Sequence, residues 1–523
     1  MGPDPDGVGP GTHAATRVTF NTRGLVTLVE EGFTPSQTDS GWNNFAQTAA
    51  KGFTYDSVGR PLTEGVATSN VTNSLVQHSY DARGRLECSA TRMNTAQFSS
   101  LPASACNRGT TGTFGPDRVV RYTYDAADQV TMVQSGYNAS TGTAVATERS
   151  EYSGNGLVSA VVDANNNRTG YEYDAHDRPK IVRFPHPTSG SNQTSPYGDY
   201  MEFSRADNVN VTQVRLRDGQ LIGYQYDNLG RVTTKDVPNT VYGESDVSYS
   251  YNLLGQLLTA NSPYPVVNTW DALGRLKTTS TNGYLKYLAY DAAGNLRQLS
   301  WHDLFYVDYD RDALGRVTRI RENGATAGIG VLATYAWDGY GHLASVTYGN
   351  GTSQTYQWDL ASRLTGLRID LAGTAADLVI GRVGSTGTAL AYNPASQLTS
   401  VARSNPAYAY GGRYNIGRPY TVNGRNQYAT AGSVTFGSDG RGNLTASGLD
   451  TFTYTSENRL AVVQPSGQGS AALLYDATGR LYRQTIGASI TSFEWVGGAL
   501  VSELAGNGGI AERHVPGPDG LTP

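Results

Sequence analysis

One short sequence recurs between residues 55 and 481, and a recurring unit constrains the architecture of a chain more than any other sequence feature. The unit is an aromatic residue, Asp, two variable residues, Gly, Arg and an aliphatic residue. The clearest copies contain Tyr55, Asp56, Gly59 and Arg60; Tyr80, Asp81, Gly84 and Arg85; Tyr226, Asp227, Gly230 and Arg231; Trp270, Asp271, Gly274 and Arg275; and Tyr475, Asp476, Gly479 and Arg480. We interpret these residues as a structural motif.

The spacing within the unit predicts a β-hairpin. Asp at the start of a turn can accept hydrogen bonds from the backbone N–H groups of that turn, and Gly three residues later supplies the positive φ of a G1-type bulge. The aromatic residue ends one strand and the aliphatic residue begins the next, so the two can pack on one face. Hairpins that contact only their neighbours must form a continuous strip, which curls because sheets twist. We therefore predict an all-β chain of stacked antiparallel hairpins in a long, spiralling and here incomplete sheet.

The composition agrees with a chain of turns and strands. The 523 residues include 62 Gly and 34 Tyr, and Arg supplies nearly all of the positive charge. A guanidinium can stack on Tyr or fork onto Asp, which explains the preference for Arg over Lys. The net charge of −5 argues against a nucleic-acid partner. The sequence contains neither an apolar run long enough for a membrane span nor an ordinary signal peptide at its start.

Relaxed copies of the unit keep its aromatic and aliphatic positions and vary the turn. Asn252 and Asn393 replace Asp, which preserves the capping of the turn and removes its charge. Ser362 and Ser396 replace Gly, which predicts a strained or differently shaped turn. The copy at 309–317 carries a variation in which the aromatic residue and Asp precede a longer turn.

Cys88 and Cys106 are the two cysteines of the chain, and one disulfide between them would close a loop of about 18 residues. Two buried or loop thiols are the simpler interpretation. The sequence leaves open whether the two residues pair.

The recurrence of Tyr-Asp-x-x-Gly-Arg-Leu over nearly the whole chain resembles the Rhs (rearrangement hotspot) or YD-repeat family of bacterial proteins. The tail from Phe493 to Pro518 is similar to the late part of an Rhs core, where a final strand pair runs into an Arg-x-Val-x-Gly-Pro segment. The resemblance implies an antiparallel strip that spirals into a hollow shell. It also implies that such a shell sequesters a variable C-terminal toxin domain, in interbacterial competition or in insecticidal complexes.

The resemblance also suggests how the chain is organised. We expect a flexible N-terminal segment at 1–16, the repeat array at 17–490 and the truncated start of a core-end region at 491–523. Family cores normally end in an Asp-Pro-x-Gly region with aspartyl autoprotease activity, and we expect this region to be missing. The string Asp4-Pro5-Asp6-Gly7 lies at the opposite end and is interpreted as a coincidence. The chain is thus interpreted as a core fragment whose partners are a toxin domain or the missing Rhs segments, secreted or at the cell surface when full length.

The sequence gives little support for catalysis or for metal or cofactor binding. The seven His are far apart and show no metal-ligand spacing, so we expect them at the surface or in turns. Asp recurs at one turn position, which a turn role explains better than the paired carboxylates of a glycosidase. Residues 328–333 imitate a dinucleotide fingerprint, but 331–337 is predicted to continue as a strand. We therefore predict no catalytic, cofactor-binding or metal-binding residues and no cofactor.

Two functional hypotheses of different classes follow. The leading hypothesis is a non-catalytic scaffold that forms part of a toxin-encapsulating shell. The alternative is an extracellular carbohydrate-binding or adhesion module with glycans as partners, because exposed Tyr rings can stack on sugars. An enzyme in its own right is the weakest interpretation.

Overall fold

The computed structural model describes residues 13–190, 199–206, 209–412 and 415–518, and in these ranges the chain is almost entirely strand and turn. The predicted all-β class with stacked antiparallel hairpins is confirmed. Residues 1–12, which include most of the predicted N-terminal segment and Asp4-Pro5-Asp6-Gly7, lie outside the described residues. Among the helices in the described ranges, none is both long and apolar enough to cross a membrane.

The described strands are short and follow one another with little between them. In chain order they are β1 (His13–Phe20), β2 (Val26–Thr34), β3 (Ala46–Tyr55), β4 (Pro61–Thr68), β5 (Val71–Tyr80), β6 (Leu86–Thr91), β7 (Arg118–Tyr124), β8 (Val130–Ser135), β9 (Ala146–Tyr152), β10 (Val158–Val162), β11 (Arg168–Tyr173), β12 (Pro179–Arg183), β13 (Tyr200–Arg205), β14 (Val211–Arg215), β15 (Leu221–Tyr226), β16 (Val232–Asp236), β17 (Val247–Tyr251), β18 (Leu257–Asn261), β19 (Val266–Trp270), β20 (Leu276–Thr281), β21 (Tyr284–Tyr290), β22 (Leu296–Ser300), β23 (Tyr306–Arg311), β24 (Val317–Glu322), β25 (Val331–Trp337), β26 (Leu343–Tyr348), β27 (Ser353–Trp358), β28 (Leu364–Asp370), β29 (Leu378–Val383), β30 (Thr386–Gly387), β31 (Ala391–Tyr392), β32 (Leu398–Ser400), β33 (Tyr420–Val422), β34 (Tyr428–Ala431), β35 (Val434–Ser438), β36 (Leu444–Ser447), β37 (Asp450–Tyr454), β38 (Leu460–Gln464), β39 (Ala471–Tyr475), β40 (Leu481–Ile486), β41 (Ser489–Val496), β42 (Ala499–Ala505) and β43 (Ile510–Arg513).

Helical structure within the described ranges is limited to four short pieces. They are α1 (Asp39–Asn43) and the 3₁₀ turns Thr95–Gln97, Gly328–Gly330 and Pro406–Tyr408. The residue before α1, Thr38, accepts a hydrogen bond from the backbone N–H of Gly41 and so caps its first turn. The predicted strand after the dinucleotide-like sequence is confirmed as Val331–Trp337.

The chain divides into two compact units. Unit 1 comprises Met1–Arg149 and Asp308–Tyr414, and unit 2 comprises Ser150–Val307 and Asn415–Pro523. In unit 2 we call residues 150–307 the first strip and residues 415–518 the second strip. Strands β10 to β22 of the first strip each pair antiparallel with the next, and so do β33 to β43 of the second.

A register shift accompanies each motif turn. In the hairpin of β19 and β20, pairing runs from Val266 opposite Thr281 to Trp270 opposite Leu276, and the register shifts between Thr269 and Trp270. The shift is the bulge that a Gly with positive φ produces at the end of a hairpin.

Consecutive hairpins turn at alternate edges of a strip, so each strip has two different edges. We call the edge that carries the Asp-Gly motif turns the turn edge, and the opposite edge the return edge. On the first strip the turn edge carries the turns 227–231, 252–256 and 271–275, whereas 216–220 and 262–265 lie at the return edge.

The two strips of unit 2 lie side by side and run in the same direction. As the first strip advances along the chain, its contacts advance along the second. Contacts in this order join Asp163 to Asn426 at 2.6 Å, Arg217 to the carbonyl of Arg441 at 2.8 Å, Lys235 to Glu457 at 2.7 Å, and Trp301 to the carbonyl of Val501 at 3.1 Å. The turn edge of the second strip therefore rests on the return edge of the first.

Apolar side chains are buried in small clusters. One cluster of unit 2 joins Val247, Ala260 and Val266 of the first strip to Ala477 of the second. Unit 1 contains a cluster around Cys88 and Val119. Unit 1 also brings its two chain segments together, because the rings of Phe33 and Tyr340 lie 4.5 Å apart.

Candidate functional site

The motif turn is a closed network of hydrogen bonds, and the turn 271–275 shows its geometry. The Asp271 N–H donates to the carbonyl of Arg275 at 2.9 Å, and the Gly274 N–H donates to the carbonyl of Asp271 at 3.0 Å. One carboxylate oxygen of Asp271 accepts from the N–H groups of Leu273 and Arg275, both at 2.9 Å. The other accepts from Arg275 Nε at 2.7 Å. Asp271 is thus bonded to three donors of its own turn.

The other four strict copies have the same geometry. Arg Nε donates to Asp Oδ2 at 2.6 Å in the turn of Asp56, 2.8 Å in that of Asp81, 2.6 Å in that of Asp227 and 2.9 Å in that of Asp476. The five motif glycines have φ of +97° at Gly59, +87° at Gly84, +76° at Gly230, +79° at Gly274 and +87° at Gly479.

The donors around the turn carboxylates favour their charged form. Partial desolvation acts to raise the pKa of Asp56, but hydrogen bonds from Arg60 and from the N–H of Val58 outweigh it and lower this pKa to about 2. The hydrogen bond from Arg231, supported by backbone N–H groups, likewise lowers the pKa of Asp227. These carboxylates are therefore ionised hydrogen-bond acceptors near neutral pH and unsuited to act as general acids.

The aromatic residue of each strict copy connects its hairpin to the preceding hairpin. Its hydroxyl or indole N–H donates to a backbone carbonyl there. The bonds run from Tyr55 to Val26 at 2.7 Å, Tyr80 to Pro61 at 2.8 Å, Tyr226 to Val211 at 2.8 Å, Trp270 to Leu257 at 3.0 Å and Tyr475 to Leu460 at 2.8 Å. We call this series of bonds the aromatic ladder.

The motif Arg adds a second link to the following hairpin. The Arg60 guanidinium lies 4.5 Å from the centre of the Tyr80 ring, and that of Arg275 lies 4.6 Å from the Tyr290 ring. Four of the five strict copies therefore have an Arg that binds the Asp of its own turn and stacks on a ring of the next hairpin, which combines the two roles that the sequence presented as alternatives. In the fifth copy, Arg480 donates instead to the carbonyl of Gly497 at 3.0 Å.

Two expectations about the relaxed copies need correction. Ser362 and Ser396 have φ of +60° and +57°, and Ser362 closes its turn with the same N–H to carbonyl bond as Gly does. Of the two predicted alternatives, a differently shaped turn is wrong and a strained turn agrees with the structure, because the bulge imposes on Ser a φ that favours Gly. In the copy at 309–317, the turn Asp is Asp312, which binds Arg316 at 2.7 Å, while Asp310 lies in a strand and binds Arg321 at 2.8 Å.

The cysteines also differ from the simpler interpretation, because Cys88 and Cys106 form a disulfide with their Cα atoms 5.2 Å apart. The segment 92–117 folds back over β6 and β7 and brings Cys106 to Cys88. A buried ion pair between Arg92 and Asp117, with 2.6 Å between Nη1 and Oδ2, holds the ends of that segment together. The spacing of the two cysteines in the sequence could not predict that the segment 92–117 folds back in this way.

The contact between the strips of unit 2 contains charged residues that the motif does not include. Asp199 is 7% exposed and accepts from Arg217 Nε at 2.7 Å and from Arg425 Nη2 at 2.5 Å. The carboxylate of the first strip thereby binds one Arg from each strip. We call the set of such contacts between the two strips the seam.

The most buried charges of the seam are Lys286 of the first strip and Glu494 of the second. They form an ion pair, and their exposed fractions are 2% and 0%. Glu494 also accepts from the hydroxyl of Ser502, and Lys286 donates to the carbonyl of Tyr284 at 3.1 Å. Burial lowers the pKa of Lys286, and the carboxylate of Glu494 opposes that change. Sequence reasoning missed this pair, although the presence of only five lysines in the chain was a usable signal.

One group of side chains within the described ranges has a donor set suited to a metal ion. Glu503, Glu512 and His514 offer ligand atoms that lie within 4.8 Å of one another. Glu503 and Glu512 are opposite each other on β42 and β43, and His514 Nε2 lies 3.2 Å from Glu503. Because Glu512 is exposed, a hydrogen-bonded surface cluster accounts for this arrangement.

Comparisons with known proteins point to the same repeat. A family model for the RHS repeat matches residues 152–184, which contain β10, β11 and β12. No curated protein matches the chain. The crystal structure of TcdB2–TccC3 is 12% identical with a TM-score of 0.51, and the match covers 94% of this chain and 30% of that chain.

Two further solved structures are similar at lower TM-scores. TcdB2–TccC3–Cdc42 is 13% identical with a TM-score of 0.49, covering 96% of this chain and 32% of that chain. The Photorhabdus luminescens Tc holotoxin pore is 14% identical with a TM-score of 0.44, covering 96% and 29%. The chain thus spans about a third of the length of the chains it matches. The chain therefore contains an RHS repeat at 152–184, has one turn geometry that recurs in both units, and is similar in fold to these structures.

Proposed function

We propose that the chain is a non-catalytic Rhs/YD-repeat scaffold that forms part of a shell, and that this shell encapsulates and delivers a toxin domain in interbacterial competition. The aromatic ladder carries the proposal. In each strict copy the Asp, Arg and aromatic side chains bind the chain itself, so the recurring polar groups build structure rather than a reaction centre. The repeat array is taken as 17–490 and the core-end region as starting at 491.

The seam supports the shell part of the proposal. A strip whose later hairpins rest on its earlier ones, in the same direction, forms a wall of stacked turns, as unit 2 does over its own residues. Partners would be a toxin domain or further Rhs segments. The Cys88–Cys106 disulfide supports secretion or a place at the cell surface, because disulfides persist in oxidising compartments.

Protection of a cargo tests the proposal. A small protease-sensitive reporter domain is fused after Pro523, and its digestion by a nonspecific protease is followed over time. The control is the same reporter on an unrelated β-repeat protein of similar size. We expect digestion of the fused reporter to be at least about tenfold slower, since enclosed chain must open before cleavage. Equal rates for the two fusions would refute encapsulation by this chain.

The carbohydrate-binding alternative has one observation to support it. The rings of Tyr420 and Tyr428 are each 56% exposed and lie 5.3 Å apart on neighbouring strands of the second strip. An exposed aromatic pair of this kind can stack on a sugar ring. A glycan array with binding that is lost in Tyr428→Ala would favour the alternative, and an array without binding would remove it.

A further inference from the structure

The turn edge of the first strip exposes a row of leucines. Leu229, Leu253, Leu254 and Leu273 lie at the tips of three successive motif turns, and their exposed fractions range from 73% to 100%. We call these four residues the tip row. Turn tips normally carry polar residues or Gly, so large apolar side chains at successive tips point to a surface that is covered in the working state.

Charge does not oppose the covering of the tip row. Asp227 and Asp271 are paired with the Arg of their own turns, at 2.6 Å and 2.7 Å between the closest atoms. The tips between them carry no charged residue. The edge is therefore apolar and locally neutral, which suits an apolar partner surface.

The seam shows what covers a turn edge of this repeat. The turn edge of the second strip is covered by the return edge of the first. There Ala477, at a turn tip of the second strip, is 2% exposed, and its N–H donates to the carbonyl of Tyr264 at 3.1 Å. The occupant of a turn edge within unit 2 is therefore the return edge of another strip.

The second strip carries a return edge that remains exposed. Leu449 lies at the tip of a two-residue hairpin there and is 82% exposed, and Ile486 lies beside another and is 47% exposed. Hairpins on both edges recur every two strands, about 9.6 Å apart, so the tips of the two edges share one spacing. Each chain thus has an apolar turn edge on its first strip and an apolar return edge on its second.

We propose that the tip row is the docking site for the return edge of the second strip of another copy of this chain. The two surfaces differ, so the contact is heterologous and copies join head to tail. The tip row runs from the turn after β15 to the turn after β19, which is four strand spacings or about 19 Å, and the hairpins of Leu449 and Ile486 are also four strand spacings apart, so the two apolar stretches match in length. A contact of this length buries less surface than a standard stable interface, so association depends on protein concentration.

Sedimentation velocity over a range of concentrations tests the proposal with three variants. We expect the wild-type chain to form dimers and longer species. Leu254→Asp with Leu273→Asp destroys the turn-edge surface, and Leu449→Asp destroys the return-edge surface. We expect each to weaken association at least about tenfold, because a buried unpaired carboxylate replaces apolar contact. Val145→Asp, at an exposed position of unit 1, is the control and is expected to associate as the wild type does.

Mixing the variants makes the test specific for a head-to-tail contact. Each variant keeps one intact surface, so an equimolar mixture is expected to form a dimer that cannot extend. Circular dichroism confirms that every variant keeps its strands. A wild-type chain that stays monomeric to roughly 200 µM overturns the proposal. A mixture that does not dimerise, or a Leu449→Asp variant that associates like wild type, also overturns it.

Discussion

The aromatic ladder and the seam stabilise unit 2 in opposite ways. The ladder repeats one hydrogen bond between neighbouring hairpins, and its side chains are at most half-buried. Because the bond recurs, the effect of losing one of them is spread over the neighbouring hairpins. The contacts of the seam differ along its length: Lys286 and Glu494 are fully buried, whereas the pair of Lys235 and Glu457 is more exposed. The difference teaches that a repeat motif can form a strip, whereas stacking one strip on another needs individual residues outside the motif.

The largest expected effect comes from breaking the seam. Glu494→Leu leaves the charge of Lys286 buried without its partner, which is expected to lower the free energy of unfolding by ~3–5 kcal/mol. Urea unfolding followed by fluorescence measures it, because Trp301 is buried in the seam. The double variant Glu494→Leu with Lys286→Met is expected to regain most of the loss. If the single variant unfolds at the wild-type midpoint, the seam does not hold the strips together.

A substitution at a motif glycine tests how much the motif turns, which position the aromatic ladder, contribute to stability. Gly274→Val places a β-branched residue at a φ of +79° and is expected to lower the free energy of unfolding by ~2 kcal/mol. Gly52→Val is the matched control, because Gly52 lies in β3 with no atom within 4 Å of an added Cβ and no positive φ. Urea unfolding compares the two, and similar losses in both would contradict a cost arising from the turn.

The relaxed copies predict a gain. Ser396→Gly removes a non-Gly residue from a φ of +57° and is expected to raise the free energy of unfolding by about 1 kcal/mol. Ser248→Gly, in the middle of β17, is expected to lower it by ~0.5–1 kcal/mol, since Gly there only adds freedom to the unfolded chain. Denaturant midpoints of the two variants must move in opposite directions for this account to hold.

The smallest effect is expected at a turn carboxylate, and it depends on pH. The pKa of Asp56 is lowered to about 2, so its contribution is present above the unfolded value near 3.9 and is lost as pH falls toward 2. Asp56→Asn keeps the backbone caps and is expected to cost less than Gly274→Val at pH 7. Its thermal midpoint is expected to converge with that of the wild type at pH 2. A difference between the two thermal midpoints that grows as the pH falls would contradict the prediction.

Sequence reasoning could predict the hairpins but could not predict the seam. Asp271 and Gly274 act within five residues, so their spacing contains the geometry of the turn. Lys286 and Glu494 are 208 residues apart, and nothing near either residue specifies the other. The same holds for Asp199 with Arg425. The disulfide lies between these cases, because its two residues were evident and only the fold of the segment 92–117 could bring them together.

Where the predicted turn was wrong, the geometry of the bulge overrode the conformational preference of the individual residue. Ser362 adopts the backbone of Gly because the flanking strands fix the register, and Asp312 rather than Asp310 begins its turn because it stands four residues before Arg316. Spacing to Arg therefore predicts the turn better than the presence of a preceding aromatic residue.

The aromatic ladder also determines where the chain tolerates new sequence. The hydroxyl of Tyr290 reaches a carbonyl 14 residues earlier, whereas that of Tyr124 reaches one 38 residues earlier, across the disulfide-bonded segment, with nearly the same bond length of 2.8 and 2.7 Å. Each hydrogen bond of the ladder therefore forms with the same geometry whatever the length of chain between the two hairpins that it joins. Foreign domains inserted at return-edge loops, as cargo or as recognition modules, are therefore expected to leave the strip unchanged.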